Sequence, residues 1–114
     1  MVTNQTVTLL ALSYEGVQQA PHFEKISFRV RSKIFATLDE DKMRATLKLS
    51  LVDQSVFADM LQGYVYPVPN KWGQKGWTIF DLASISEDVL KDALTLAYCE
   101  AAPKKFSEKY RLLE

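Results

Sequence analysis

The chain is poor in the residues that most often carry chemistry. Its 114 residues include one cysteine, Cys99, and one histidine, His22. A single cysteine excludes an internal disulfide, and nothing in the pattern points to an exported, oxidised protein. One His and one Cys far apart in sequence give no metal-ligand spacing. There is no G-x-S-x-G, no P-loop and no G-x-G-x-x-G. Without a nucleophile–base pair, an enzyme is the least expected class, and no metal or cofactor is expected. His22 reads as a surface or structural residue. Cys99, inside "LTLAYCEAA", reads as a small buried hydrophobe.

Net charge is also missing, with 14 basic residues against 14 acidic. That removes the simplest argument for nucleic-acid binding, a strongly basic domain, although it leaves room for a local basic face. No apolar run approaches the roughly 20 residues that span a bilayer. The opening "MVTNQTVTLLALSYEG" has no basic region ahead of its apolar run, so it does not read as a signal peptide. No repeat or low-complexity segment is present. With 47% apolar and 25% charged residues, the expectation is one globular domain over 1–114, cytoplasmic and without a membrane partner. Nothing signals an oligomer, so a monomer is the default.

Hydrophobic spacing then outlines the elements. Val7, Leu10, Ala11 and Tyr14 recur at helical spacing, and Gly16 is a stop. Val17–Ala20 predicts a short edge strand that Pro21 interrupts. Ile26, Phe28 and Val30 alternate with Ser27, Arg29 and Arg31; Ile34, Ala36 and Leu38 alternate with Lys33, Phe35 and Thr37. Met43, Ala45, Leu47 and Leu49 alternate with Arg44, Thr46, Lys48 and Ser50. Period-2 patterns joined by short turns predict an antiparallel meander. A helix follows, capped by Asp53, with Val56, Phe57, Met60 and Leu61 inward, and ended by Gly63. "GWTIFDL" predicts another strand. Ser84 or Ser86 caps a helix to about Ala102, burying Val89, Leu90, Ala93, Leu96, Ala97 and Cys99. "KKFSEKYRLLE" predicts a last short helix. The sum is an α+β domain, an antiparallel sheet with helices on one face.

Two regions attract functional attention. Between Lys25 and Trp77 there are nine basic residues against five acidic. Strand phase predicts that Arg29, Arg31, Lys33, Arg44 and Lys48 share the sheet's polar face. Such a face suits phosphates, and it is also what an ordinary solvated sheet uses to stay soluble. The second region runs from Tyr64 to Phe80 and holds both tryptophans and two of the four prolines. Pro67 and Pro69 stiffen Tyr64–Pro69 into an extended arm. Trp72 lies among Lys71, Gln74 and Lys75, a composition that stacks bases while cations meet phosphates. Burial against the sheet is the competing role, and for Trp77, at a strand start, it is the expected one. Asp39, Glu40 and Asp41 read as a solvated turn and lack the staggered spacing of a cation loop.

"YPVPNKWGQKGWTIFDL" resembles the loop-and-strand signature of the MmcQ/YjbR-like family of small bacterial proteins. "FRVRSKIFATL" is similar to that family's paired strands, an F-x-V-x-G-K-x-F-A pattern. "ALSYEGVQQAPHF" and "DVLKDALTLAYCEAAPKK" fall at the family's usual places. The resemblance implies a frataxin-like fold and a "double wing" role in DNA binding. It matches Phe28, Val30, Lys33, Phe35 and Ala36 in the hairpin, and Trp72 and Trp77 in the loop. Ser32 stands where the family often has glycine, and Tyr14-Glu15-Gly16 where it often has Leu-Pro-Gly. Ser32 is therefore expected to strain or reshape a two-residue turn. A frataxin-like fold carries no iron handling with it, and no acidic helix ridge is present.

Two readings result. The first is a non-enzymatic binding module for an anionic partner, DNA foremost, using Arg29, Arg31, Lys33, Arg44 and Lys48, with Lys71, Trp72 and Lys75 as a second contact. The second is a protein- or small-ligand-binding module whose groove is lined by Tyr64, Tyr66, Trp72 and Trp77.

Overall fold

The computed structural model describes residues 1–111. Six strands form one antiparallel sheet: β1 (Val17–His22), β2 (Lys25–Val30), β3 (Lys33–Asp39), β4 (Arg44–Lys48), β5 (Val65–Pro67) and β6 (Trp77–Asp81). Their order across the sheet is β1-β2-β3-β4-β6-β5. Four helices accompany them: α1 (Asn4–Leu12), α2 (Leu51–Met60), α3 (Glu87–Ala101) and α4 (Lys104–Arg111). The last three residues of the expected C-terminal helix, 112–114, lie outside the described residues.

Register decides which side each residue takes. Phe28 pairs with Ala36, Ala36 with Leu47, and Ala45 with Phe80. All five are buried, as are Val30, Leu38 and Val65 in the same phase. The helices close over this side. Phe35 meets Tyr98 of α3 edge-on at 5.7 Å, and Phe57 of α2 meets Phe80 at 5.8 Å. Among the described residues no helix covers the other side. Ala20, Ser27, Thr37, Thr46, Ile79 and Tyr66 form one row across it, through all six strands.

Several elements depart from the spacing-based expectation. Simple alternation places Phe35 outward. A register shift opposite Phe28 and Arg29 gives β3 an extra residue, and Phe35 turns to the core beside Ala36. Ile34 then takes the outer face opposite Arg29. Pro21 does not interrupt β1. It lies within the strand, at the sheet's edge, where a missing N–H costs no ladder bond on the open side. The expected arm Tyr64–Pro69 contributes three residues, β5, to the opposite edge. The cap of α2 is Ser50, whose hydroxyl accepts from Asp53 N–H at 3.1 Å. Of the four residues expected inward on α2, Phe57 is buried and Leu61 half-buried, whereas Val56 and Met60 are exposed. Gln54 takes the inner position instead.

The β2–β3 turn keeps two residues despite lacking glycine. Arg31 and Ser32 adopt φ of 51° and 69°. This is the twist a hairpin turn demands, held here by residues that find it costly. Ser86 caps α3, accepting from Val89 N–H. That helix buries Tyr98, whose ring stacks on Tyr14 at 4.8 Å and whose hydroxyl donates to Glu15 O at 2.7 Å. Burial pushes the Tyr98 phenol up to about 12 and raises Tyr14 in the same direction.

Candidate anion-binding end of the sheet

The five strand cations do not lie in one row. Arg44 stands at one end of the sheet, directly opposite Asp39 on β3 and Asp81 on β6. Acids on both flanking strands offset its charge. Arg29 lies on the open face, half-buried, with its Nε donating to Ser27 Oγ at 3.0 Å. Arg31 sits in the β2–β3 turn with its guanidinium 5.0 Å above the Phe106 ring of α4. Lys33 pairs with Val30, a core-facing position, so it leaves the strand in the opposite phase to Arg29. Lys48 ends β4, opposite Trp77. Antiparallel pairing therefore places the turn residue Arg31, Lys33 at the start of β3 and Lys48 at the end of β4 toward the end of the sheet away from Arg44, with Lys48 in the open-face phase and Lys33 in the other.

The tryptophan loop joins this same end. Lys75 Nζ lies 5.2 Å from the Trp72 ring centroid, a cation–π pair, and Trp72 stays 49% exposed. Lys48 Nζ is 3.4 Å from where a side chain on Gly76 would begin. Lys48, Lys75 and Trp72 thus converge, with exposed Lys71 next in the loop. Among the described residues, none of Arg31, Lys33, Lys48, Lys71 and Lys75 has a carboxylate at salt-bridge distance. Half-buried Asp53, in the first turn of α2, is the acid of that neighbouring helix start.

Rigidity comes from backbone contacts. Residues 73–75 form one 3-10 turn. A Cβ on Gly73 would stand 2.0 Å from Val68 O, and one on Gly76, at φ 106°, 1.9 Å from Leu49 O. Both approaches require glycine. Gln54 of α2, buried, reaches Gly73 O, Trp77 O and Thr78 Oγ1 at 2.9, 3.2 and 3.1 Å. Sequence reasoning missed Gln54. Its only signal is a long amide among apolar helix positions, which periodicity treats as solvent-facing.

Trp77 is half-buried on the open face, not in the helix-side core, because Thr78 and Phe80 occupy the inward phase. Tyr66 and Ile79 sit opposite each other on that face. Tyr64 is exposed just before β5. The four aromatics do not enclose a groove. A shallow depression of about 490 Å³ lies beside the loop, lined by Gln54, Pro67, Pro69, Asn70, Lys71 and neighbours rather than by aromatic rings. Among the described residues no three His, Cys, Asp or Glu side chains converge as metal ligands. No helix there is long and apolar enough to cross a membrane.

Fold and site together define a small α+β module with a six-stranded open-faced sheet. The YjbR family model matches residues 12–100, and the chain belongs to that family. The chain is similar to the crystal structure of Deinococcus radiodurans protein DR2400, which carries the family-model domain DUF419. The TM-score is 0.78 at 20% identity, over 99% of this chain and 88% of that one. The likeness supports the fold. No curated protein matches the chain.

Proposed function

We propose that this domain is a non-enzymatic binding module for an anionic polymer, DNA foremost, and that it binds through the cationic end of the sheet. The observation that carries this reading is the convergence of Lys48, Lys75 and half-exposed Trp72 on a backbone pinned by Gln54. Lys71 extends the site along the loop, and Arg31 and Lys33 stand at the same end of the sheet, while the Nε of Arg29 is held by Ser27 on the open face. The ring gives a base a stacking surface, and the lysines meet flanking phosphates without first breaking ion pairs. Arg44, placed between two aspartates, is not part of it. The family's bacterial setting suggests a cytoplasmic protein.

The test is a fluorescence titration of labelled single-stranded and duplex DNA at several salt concentrations. About five phosphate contacts give a slope of log K against log salt of roughly −4.5 on duplex. Lys75→Ala lowers that slope by about one, while Arg44→Ala leaves it unchanged. Absence of binding at about 20 mM salt, or equal losses for the two variants, refutes the proposal. The open face, where Tyr66, Trp77 and Ile79 lie together, supports a second reading as a small-ligand or protein site. A salt-independent response abolished by Tyr66→Ala is its signature.

A further inference from the structure

Helix α4 carries a concentration of charge that the candidate site does not use. From Lys104 to Arg111 four residues are basic and one, Glu108, is acidic, in a chain whose formal net charge is zero. The helix lies beyond residues 12–100, the stretch that the family model matches. Helix starts favour acids, yet the first turn of α4 holds Lys104 and Lys105 and no acid. These cations therefore do not serve the helix that bears them. The apolar side of α4 is already committed to the fold: Ser107 is buried, and Tyr110 meets Tyr14 and Tyr98 edge-on, each at 5.2 Å.

Phe106 ties this helix to the β2–β3 turn. The Arg31 guanidinium and the Lys105 ammonium stand 5.0 and 5.5 Å from its ring centroid, so the two charges are no farther apart than the sum of those distances. A side chain on Gly16 would begin 3.1 Å from the Phe106 ring and 3.7 Å from Val30. Phe106 thus lies beside Val30, whose strand partner Lys33 takes the same helix-side phase. Arg31, Lys33 and Lys105 are exposed, and among the described residues none has a carboxylate at salt-bridge distance. Residues four apart share a row on a helix. Lys105 shares its row with Lys109, whose charge Glu15 offsets at 2.7 Å, while Glu108 lies in the row of Lys104. We infer that Arg31, Lys33 and Lys105, set around Phe106, form a second phosphate-binding surface on the helix side of the sheet, and that its ligand is the backbone of duplex DNA. This rests on the reading of the domain as a DNA-binding module. Both surfaces lie toward the end of the sheet away from Arg44, and β3 is two strand spacings, about 10 Å, from β6, which follows the tryptophan loop. About 10 Å of duplex carries roughly six charges, so one molecule can meet both. An anionic membrane is the weaker fit, because a helix that binds one presents a free apolar face, and that of α4 is covered.

The test is a titration of labelled duplex DNA with the full chain, from about 20 to 200 mM salt. Lys105→Ala lowers the salt slope by about one and weakens binding roughly eightfold at about 100 mM salt. Phe106→Leu keeps both cations but not the ring that holds them, so affinity falls while the slope stays. Lys25→Ala, an exposed lysine at the far end of the sheet, changes neither. Circular dichroism and melting of each variant confirm that the fold is kept. Lys105→Ala combined with Lys75→Ala lowers the slope by about two, as simultaneous contact requires. A wild-type slope in Lys105→Ala, or a wild-type affinity in Phe106→Leu, overturns this surface, and the loop site stands if Lys75→Ala still lowers the slope. Loss of slope in Lys105→Ala with none in Lys75→Ala keeps this surface and overturns the loop site. No duplex binding at about 20 mM salt overturns both, including where the chain instead co-sediments with anionic-lipid vesicles.

Discussion

Replacing Gln54 by alanine tests how the candidate site is held. The amide nitrogen has two hydrogens and three acceptors within reach. Two of those acceptors keep other donors in the variant: Gly73 O still receives Gly76 N–H, and Trp77 O still receives Val68 N–H. The loss is therefore two net hydrogen bonds, about 1 kcal/mol each, with no orphaned carbonyl penalty to add. Truncating the buried stem adds roughly 1 kcal/mol after its regained rotamer freedom is discounted. The expected cost is about 3 kcal/mol, which at this chain length lowers Tm by roughly 12 °C. Gln54→Leu restores volume without the bonds and recovers about 1 kcal/mol of that. Both tryptophans lie in the segment that Gln54 clamps. Acrylamide quenching of their emission should therefore rise in the alanine variant even well below its Tm. A Tm loss under about 2 °C together with unchanged quenching would refute the clamp.

Further expectations concern the same framework. Gly73→Ala and Gly76→Ala each drive a methyl against a backbone oxygen, at 2.0 and 1.9 Å, and should cost more than about 3 kcal/mol by chemical denaturation. A loss below about 1 kcal/mol in both would show that the loop yields. Ser32→Gly relieves a left-handed serine at φ 69° and should stabilise by about 0.5–1 kcal/mol, the relief partly offset by a more flexible unfolded chain. A lower Tm for that variant contradicts the turn geometry. The raised Tyr98 phenol stabilises the fold below its unfolded value near 10. That contribution is lost as pH rises from 10 through about 12. Tyr98→Phe should flatten the alkaline limb of a stability–pH profile, and an unchanged limb would assign it to other groups.

Much of the fold was legible because two-residue alternation and helical spacing are local signals. The strands around Phe28, Ala36 and Leu47, one of the two serines offered as the α3 cap and the inward face of α1 follow from them; on α3 Leu90, Ala93, Ala97 and Cys99 are buried as spacing implies, but Leu94 and Tyr98 are buried too, and Val89 and Leu96 only half-buried. The α1 residues Val7, Ala11 and Tyr14 are buried as their spacing implies. Alternation failed at Phe35, because a one-residue bulge inverts phase without leaving a mark in composition. It failed on α2 because Leu51, Val52, Val56, Phe57, Met60 and Leu61 are apolar nearly all round the helix, so spacing could not choose the buried side. Gln54 won that side through three tertiary acceptors supplied by residues at least nineteen positions away.

The sequence by itself determined the class of the domain, its α+β element order, the family marker in the tryptophan loop and the presence of local basic charge. Each depends on residues a few positions apart, whose spacing dictates which side of a strand or helix is apolar. The placement of those charges belonged to the tertiary structure. Strand pairing set Arg44 between Asp39 and Asp81, sent Lys33 to the other phase, and brought Lys48 beside Gly76 and the Lys75–Trp72 pair. Electrostatic and stacking interactions act through space. Only the register of β3, β4 and β6 could decide which cations share a site.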